Sequence, residues 1–88
     1  MIRQTIIIKN EYGLHALPAS RFVKAGDRFK SEVRLIKDGI EVDGKSIMGI
    51  LTLACEKGSK VELIVSGIDE NEAFAVLSKI LEGEEHGK

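Results

Sequence analysis

Few side chains in this sequence are suited to chemistry. There are two histidines, His15 and His86, and a single cysteine, Cys55. His86 lies in the polar end Gly83-Glu84-Glu85-His86-Gly87-Lys88, which is expected to fray and leave it inert. His15 has a different setting. It follows the turn signal Asn10-Glu11-Tyr12-Gly13 and stands directly before a segment of helical period. A helix N-terminus offers unpaired backbone N–H groups and a partial positive charge. That field favours a bound anion, and it favours imidazole, the nucleophilic form, over imidazolium. A phosphoryl group on His15 would therefore be supported by the N–H groups of Ala16 and Leu17. Position alone leaves a second reading open, an ordinary capping residue. No Cys, Asp or second His stands at ligand spacing from His15, which argues against a metal.

Ser46 is the second candidate. It follows the break Gly44-Lys45 and precedes the apolar Ile47, as the N-cap of a short helix does. A phosphate there would suit the helix N-terminus while adding about −1.5 to −2 charge to the surface. The plain alternative is a capping serine.

These side chains must be positioned by a small set of elements. Ile2 to Lys9 is β-branched, with Ile2, Ile6 and Ile8 on one face, and is expected to be a strand. A helix follows from Ala16 to about Asp27, with Ala16, Ala19, Phe22, Val23 and Gly26 as its stripe. Pro18 fits only the first turn of that helix. Ser31 to Lys37 alternates, with Val33 and Leu35 inward, and Asp38-Gly39 signals a hairpin to a return strand, Ile40 to Asp43. A short helix from Ile47 to about Leu53 comes next, then a strand from Lys60 to Ser66 with Val61, Leu63 and Val65 inward. Asp69 and Glu72 resemble a capping-box pair opening a last helix. Its stripe is Ala73, Val76, Leu77, Ile80 and Leu81, and Gly83 is its expected C-terminal cap. The order β-α-β-β-α-β-α predicts an α+β open-faced sandwich, a four-stranded antiparallel sheet with three helices on one face. On the open face Ile7, Ile36 and Ile64 are expected to cluster.

The 88 residues carry 13 Lys+Arg against 14 Asp+Glu, with 43% hydrophobic and 31% charged residues. This is the composition of one soluble globular domain, taken as 1–83 with a polar tail at 84–88. One core of this size buries roughly 60–65% of the unfolded chain's surface, with no room for a separate cofactor fold. The near-neutral charge disfavours nucleic-acid binding. A lone cysteine leaves no disulfide framework and fits a reducing cytoplasm. No apolar run approaches the ~20 residues of a membrane span, and Met1-Ile2-Arg3-Gln4-Thr5 lacks a signal-peptide layout.

Read whole, Gly13-Leu14-His15-Ala16-Leu17-Pro18-Ala19-Ser20 resembles the active-site motif of the HPr family. These are the histidine-containing phosphocarriers of the bacterial phosphoenolpyruvate:sugar phosphotransferase system. Gly44-Lys45-Ser46-Ile47-Met48-Gly49-Ile50-Leu51-Thr52-Leu53-Ala54 resembles the regulatory-serine segment of the same family. The resemblance spans essentially the whole chain. It implies that His15, through Nδ1, accepts a phosphoryl group from phosphorylated enzyme I and hands it to enzyme IIA domains. It also implies that Ser46 is the site of an ATP-dependent HPr kinase/phosphorylase, with phosphorylation slowing transfer. The chain would be a stoichiometric carrier rather than an enzyme, it would need no cofactor, and the role suits a monomer.

One position departs from the family motif, which carries an arginine where this chain has Leu17. Arg21, one turn on and on the same helix face, is a candidate to approach the His15 phosphate in its place; the alternative is a solvated surface arginine. Leu17, Ile47, Met48 and Leu51 are expected to form an apolar docking patch, edged by the basic Arg21, Lys24 and Lys45. Three other readings stay open. The chain could be a paralogue of a regulatory or nitrogen-related branch, with partners altered by Leu17. It could be a ferredoxin-like ligand-binding module, against which the absent CxxC and the extra short helix count. A purely protein-binding regulator is the third, against which the retained His15 argues.

Overall fold

Alternating β-branched segments and 3.6-residue stripes resolve into seven elements in the computed structural model, which describes residues 1–83. The expected tail, His86 included, lies outside the described residues. The elements are β1 (Ile2–Ile7), α1 (Ala16–Gly26), β2 (Glu32–Lys37), β3 (Ile40–Asp43), α2 (Ile47–Thr52), β4 (Lys60–Ser66) and α3 (Glu70–Leu81). The strands form one antiparallel sheet in the order β1-β4-β2-β3. β4 therefore sits between β1 and β2, and its inward residues Val61, Leu63 and Val65 are fully buried. The β2–β3 hairpin turns at Asp38 (φ 52) and Gly39 (φ 82). Two consecutive positive φ values are what a two-residue type I′ turn requires.

The helices cover one face of the sheet, giving the expected open-faced α+β sandwich. Phe22 from α1, Ile50 from α2 and Leu77 and Leu81 from α3 are buried with Ile6, Ile8, Val33 and Leu35 from the sheet side. α1 packs against both α2 and α3. The α1 stripe is shifted from the sequence expectation. Ala16 is exposed, while Pro18, Ala19, Phe22, Val23, Ala25 and Gly26 are buried. The first turn thus stands clear of the core, and Pro18 is its first buried contact.

Two other expectations are corrected. Ile7, Ile36 and Ile64 do not share a cluster, because the register sets them in different rows. Ile64 lies between Arg3 and Arg34, Ile36 between Glu62 and Glu41, and Ile7 opposite Lys60. The Arg3 Nε to Glu62 Oε2 contact, 2.6 Å, and the Arg34 to Glu41 contact, 3.5 Å, cover this face with ion pairs.

The Asp69–Glu72 capping pair is also absent. Asp69 occupies the N-cap position of α3 but makes no side-chain cap. Its carboxylate instead accepts the backbone N–H groups of Lys30 (2.8 Å) and Ser31 (3.0 Å) and the Ser31 hydroxyl. Three donors from the loop before β2 outcompete one local N–H, and they also satisfy Ser31, which is buried. Glu70 takes over at the helix start, accepting the Gly67 N–H at 3.1 Å and pairing with the Met1 ammonium at 3.0 Å.

These contacts hold both carboxyls below their ordinary range. For Asp69 the Ser31 hydroxyl is the main cause, and for Glu70 the Gly67 N–H. A depressed folded-state value stabilises the fold above the unfolded carboxylate range, and that stability is lost as pH falls through the folded value. Asp69→Asn is therefore expected to lower the urea midpoint at pH 7 and to flatten its decline below pH 4. An unchanged midpoint at pH 7 would show that the bridge contributes nothing.

Candidate functional site

The site is built from the loop that joins β1 to α1. Gly13 has φ +76, and its N–H donates to the Asn10 carbonyl at 3.0 Å. The next amide, Leu14, donates to the Cys55 carbonyl at 2.8 Å, and its side chain is buried. A Cβ at position 13 would run into that same Cys55 carbonyl. Glycine is thus required twice, by the left-handed backbone and by the close approach.

The loop delivers His15 to the N-cap of α1 in extended conformation, φ −88 and ψ −167. The His15 carbonyl accepts the Ala19 N–H at 3.0 Å, which starts the helix. Its imidazole makes no capping bond and is exposed. The ring is not spent on capping the helix end. Tyr12 lies edge-on to it, with centroids 6.3 Å apart and planes at 70°. Sequence reasoning did not find this contact, because nothing in a turn tyrosine three residues earlier specifies which way its ring leans. Pro18 removes one N–H from the first turn, so the free donors beside the imidazole are those of Ala16 and Leu17.

Ser46 is the N-cap of α2, as expected, and its Oγ accepts the Gly49 N–H at 3.0 Å. The side chain is half-buried, with the hydroxyl already oriented at the helix start. Leu17 (55% exposed) and Met48 (72%) begin two helices that pack on one another, and Ile47 is exposed beside Met48. Leu51 is half-buried and packs against the core.

The basic candidates separate. Lys45 is half-buried, and its ammonium donates to the Phe29 carbonyl at 2.9 Å, tying the segment before α2 to the end of α1. Arg21 and Lys24 are exposed and line a groove between α1 and α3. Cys55 is buried, and burial raises its thiol pKa, which leaves it a poor nucleophile. Among the described residues, no group of three or more His, Cys, Asp or Glu is gathered to hold a metal ion. No helix among them is long and apolar enough to cross a membrane.

The structure thus presents an exposed histidine at a helix N-terminus, carried on an open-faced α+β sandwich. The family model described as "PTS HPr component phosphorylation site" matches residues 2–83. The chain belongs to the HPr family of the phosphotransferase system. It is 43% identical over 83 residues to the phosphocarrier protein HPr of Neisseria meningitidis, covering 94% of this chain and 93% of that one. It is also 43% identical over 84 residues to the HPr-like protein Crh of Bacillus subtilis, covering 96% and 99%. The crystal structure of HPr from Thermoanaerobacter tengcongensis superposes with a TM-score of 0.89 at 43% identity, covering 96% of this chain and 94% of that one.

Two substitutions test the local geometry. Ser46→Ala is expected to cost about 1 kcal/mol, the usual loss of an N-cap. Gly13→Ala is expected to cost more than about 1 kcal/mol, because strain in the left-handed region adds to the collision with Cys55. Denaturant unfolding measures both, and a neutral Gly13→Ala would mean that the loop is not pinned.

Proposed function

We propose that this chain is a stoichiometric phosphoryl carrier, accepting the group on His15 from phosphorylated enzyme I and passing it to enzyme IIA domains. The observation that carries the reading is the exposed imidazole at the α1 N-terminus, which makes no capping bond. In the transfer, Nδ1 attacks the donor's phosphorus. A new P–N bond forms as the donor's bond to phosphorus breaks, and the reverse step at a IIA domain restores His15. Phosphoryl transfer needs in-line positioning and charge neutralisation. The Ala16 and Leu17 N–H groups and the α1 dipole supply part of the second. The partner supplies the rest, which is what makes the chain a carrier rather than an enzyme.

Leu17 removes the cation that the family motif places beside the phosphate. Arg21 stands one turn further along α1 and is proposed to approach the phosphohistidine in its place. Leu17, Ile47, Met48 and Leu51 form the apolar centre of the docking surface, with Lys24 at its edge. Lys45 acts there through its anchoring of α2 more than through a free ammonium. Weak docking on such a surface suits a carrier that must leave each partner, and it works as a monomer in the cytoplasm. Phosphorylation of Ser46 by an HPr kinase/phosphorylase would place a near-dianion beside Ile47 and Met48 and slow docking through repulsion and desolvation.

The equal identity to Crh, together with Leu17, favours one second reading, a regulatory paralogue with a narrower set of partners. Incubation with phosphoenolpyruvate, Mg²⁺ and enzyme I separates the two. The carrier reading expects an acid-labile mass gain of one phosphoryl group, lost in His15→Ala. No gain with enzyme I of either the sugar or the nitrogen branch would leave the regulatory reading. Arg21→Ala is expected to slow the transfer about tenfold, the scale of one lost charge-assisted contact, and an unchanged rate would remove Arg21 from the site. Met48→Ala is expected to weaken enzyme I binding in an NMR titration, and an unaltered titration would place the docking patch elsewhere.

A further inference from the structure

The groove between α1 and α3 is not accounted for by phosphoryl transfer. It has a volume of about 570 Å³ and is lined by Arg21, Lys24, Ala25 and Arg28 on one side and Val76, Lys79 and Ile80 on the other. Two features stand together there. The floor is aliphatic, formed by Ala25, Val76 and Ile80. The rim carries four cationic side chains, Arg21, Lys24, Arg28 and Lys79, and no carboxylate among the described residues lines it, in a chain whose net charge is −1. None of Lys24, Arg28 and Lys79 has an ion-pair partner among the described residues. The backbone holds Arg28 at the groove, since its N–H donates to the Ala25 carbonyl at 3.2 Å.

An aliphatic floor gains from covering by a flat ring, and a basic rim gains from phosphate. A volume of this size falls within the ~300–1,000 Å³ of small-molecule sites. A purely polar sugar phosphate would leave the floor unused, and a neutral aromatic would leave the charges of Lys24, Arg28 and Lys79 unused. From this pairing we infer that the α1/α3 groove binds a nucleoside polyphosphate, with the base on Ala25, Val76 and Ile80 and the phosphates on Lys24, Arg28 and Lys79. The assignment does not depend on the carrier reading, although Arg21 at the groove is the residue proposed to approach the phosphohistidine. Lys24 is shared with the proposed docking edge, so an occupied groove and a docked partner would compete for it.

The test is an NMR titration of the full chain with ADP, run in parallel with adenosine and with inorganic pyrophosphate. Binding is expected to shift the amides of 24–28 and 76–80, with ADP at least about fivefold tighter than either fragment. Lys24→Gln, Arg28→Gln and Lys79→Gln should each weaken ADP about fivefold, as loss of one exposed charge contact does. Their thermal unfolding should match that of the parent chain, which separates lost binding from lost fold. Pyrophosphate binding as tightly as ADP would overturn the nucleotide assignment in favour of simple anion attraction. Absence of groove shifts with ADP would overturn the site itself. Shifts that appear only in the Glu84→Gln/Glu85→Gln chain would make the C-terminal carboxylates the occupant and would also overturn it.

Discussion

The hydrogen bond from the Leu14 amide to the Cys55 carbonyl is the constraint on which the site depends. It fastens the loop after β1 to the loop before β4, two segments about forty residues apart that border adjacent strands. The closeness of that approach leaves no space for a side chain at Gly13. With Leu14 buried, the next residue is held at the surface, where α1 begins. The imidazole is exposed because the residue before it is anchored, and its orientation is shared with Tyr12 instead of being fixed by a capping bond. The backbone at the start of α1 is anchored while the ring makes no capping bond.

The helix ends divide their work in a consistent way. At α2 the Ser46 hydroxyl caps the helix, and at α1 the His15 side chain does not. At α3 the N-cap carboxylate is diverted to the loop before β2, and Glu70 takes the local donor. Each choice follows from competition for donors. Ser46 has a free N–H three residues on, and Asp69 meets three donors brought by the chain fold. The buried hydroxyl of Ser31 is satisfied only because Asp69 faces it, so the start of β2 and the start of α3 are secured by one carboxylate.

Leu17 places an uncharged side chain two residues after His15. Relatives of both the phosphocarrier and the HPr-like kind are equally similar to the chain, so overall identity does not decide between their roles. Further along the chain, Arg21 and Lys24 of α1 and Arg28 just beyond its end line the groove toward α3.

The sequence alone determined the seven elements, their order and the two motifs. Period-2 and period-3.6 patterns are local, and the glycine, proline and serine signals act within a turn of where they stand. β4 was read to the residue because both of its ends are marked and its inward face is uniformly β-branched or leucine. His15 and Ser46 were legible because each depends on a neighbouring helix start. Tertiary structure decided what relies on distant partners. It split the three open-face isoleucines by register, turned Asp69 from cap to bridge, committed the Lys45 ammonium to Phe29, and brought Lys79 of α3 beside Lys24 and Arg28. None of these has a local signal, because each is a contest between a near partner and one that only the folded chain brings within reach.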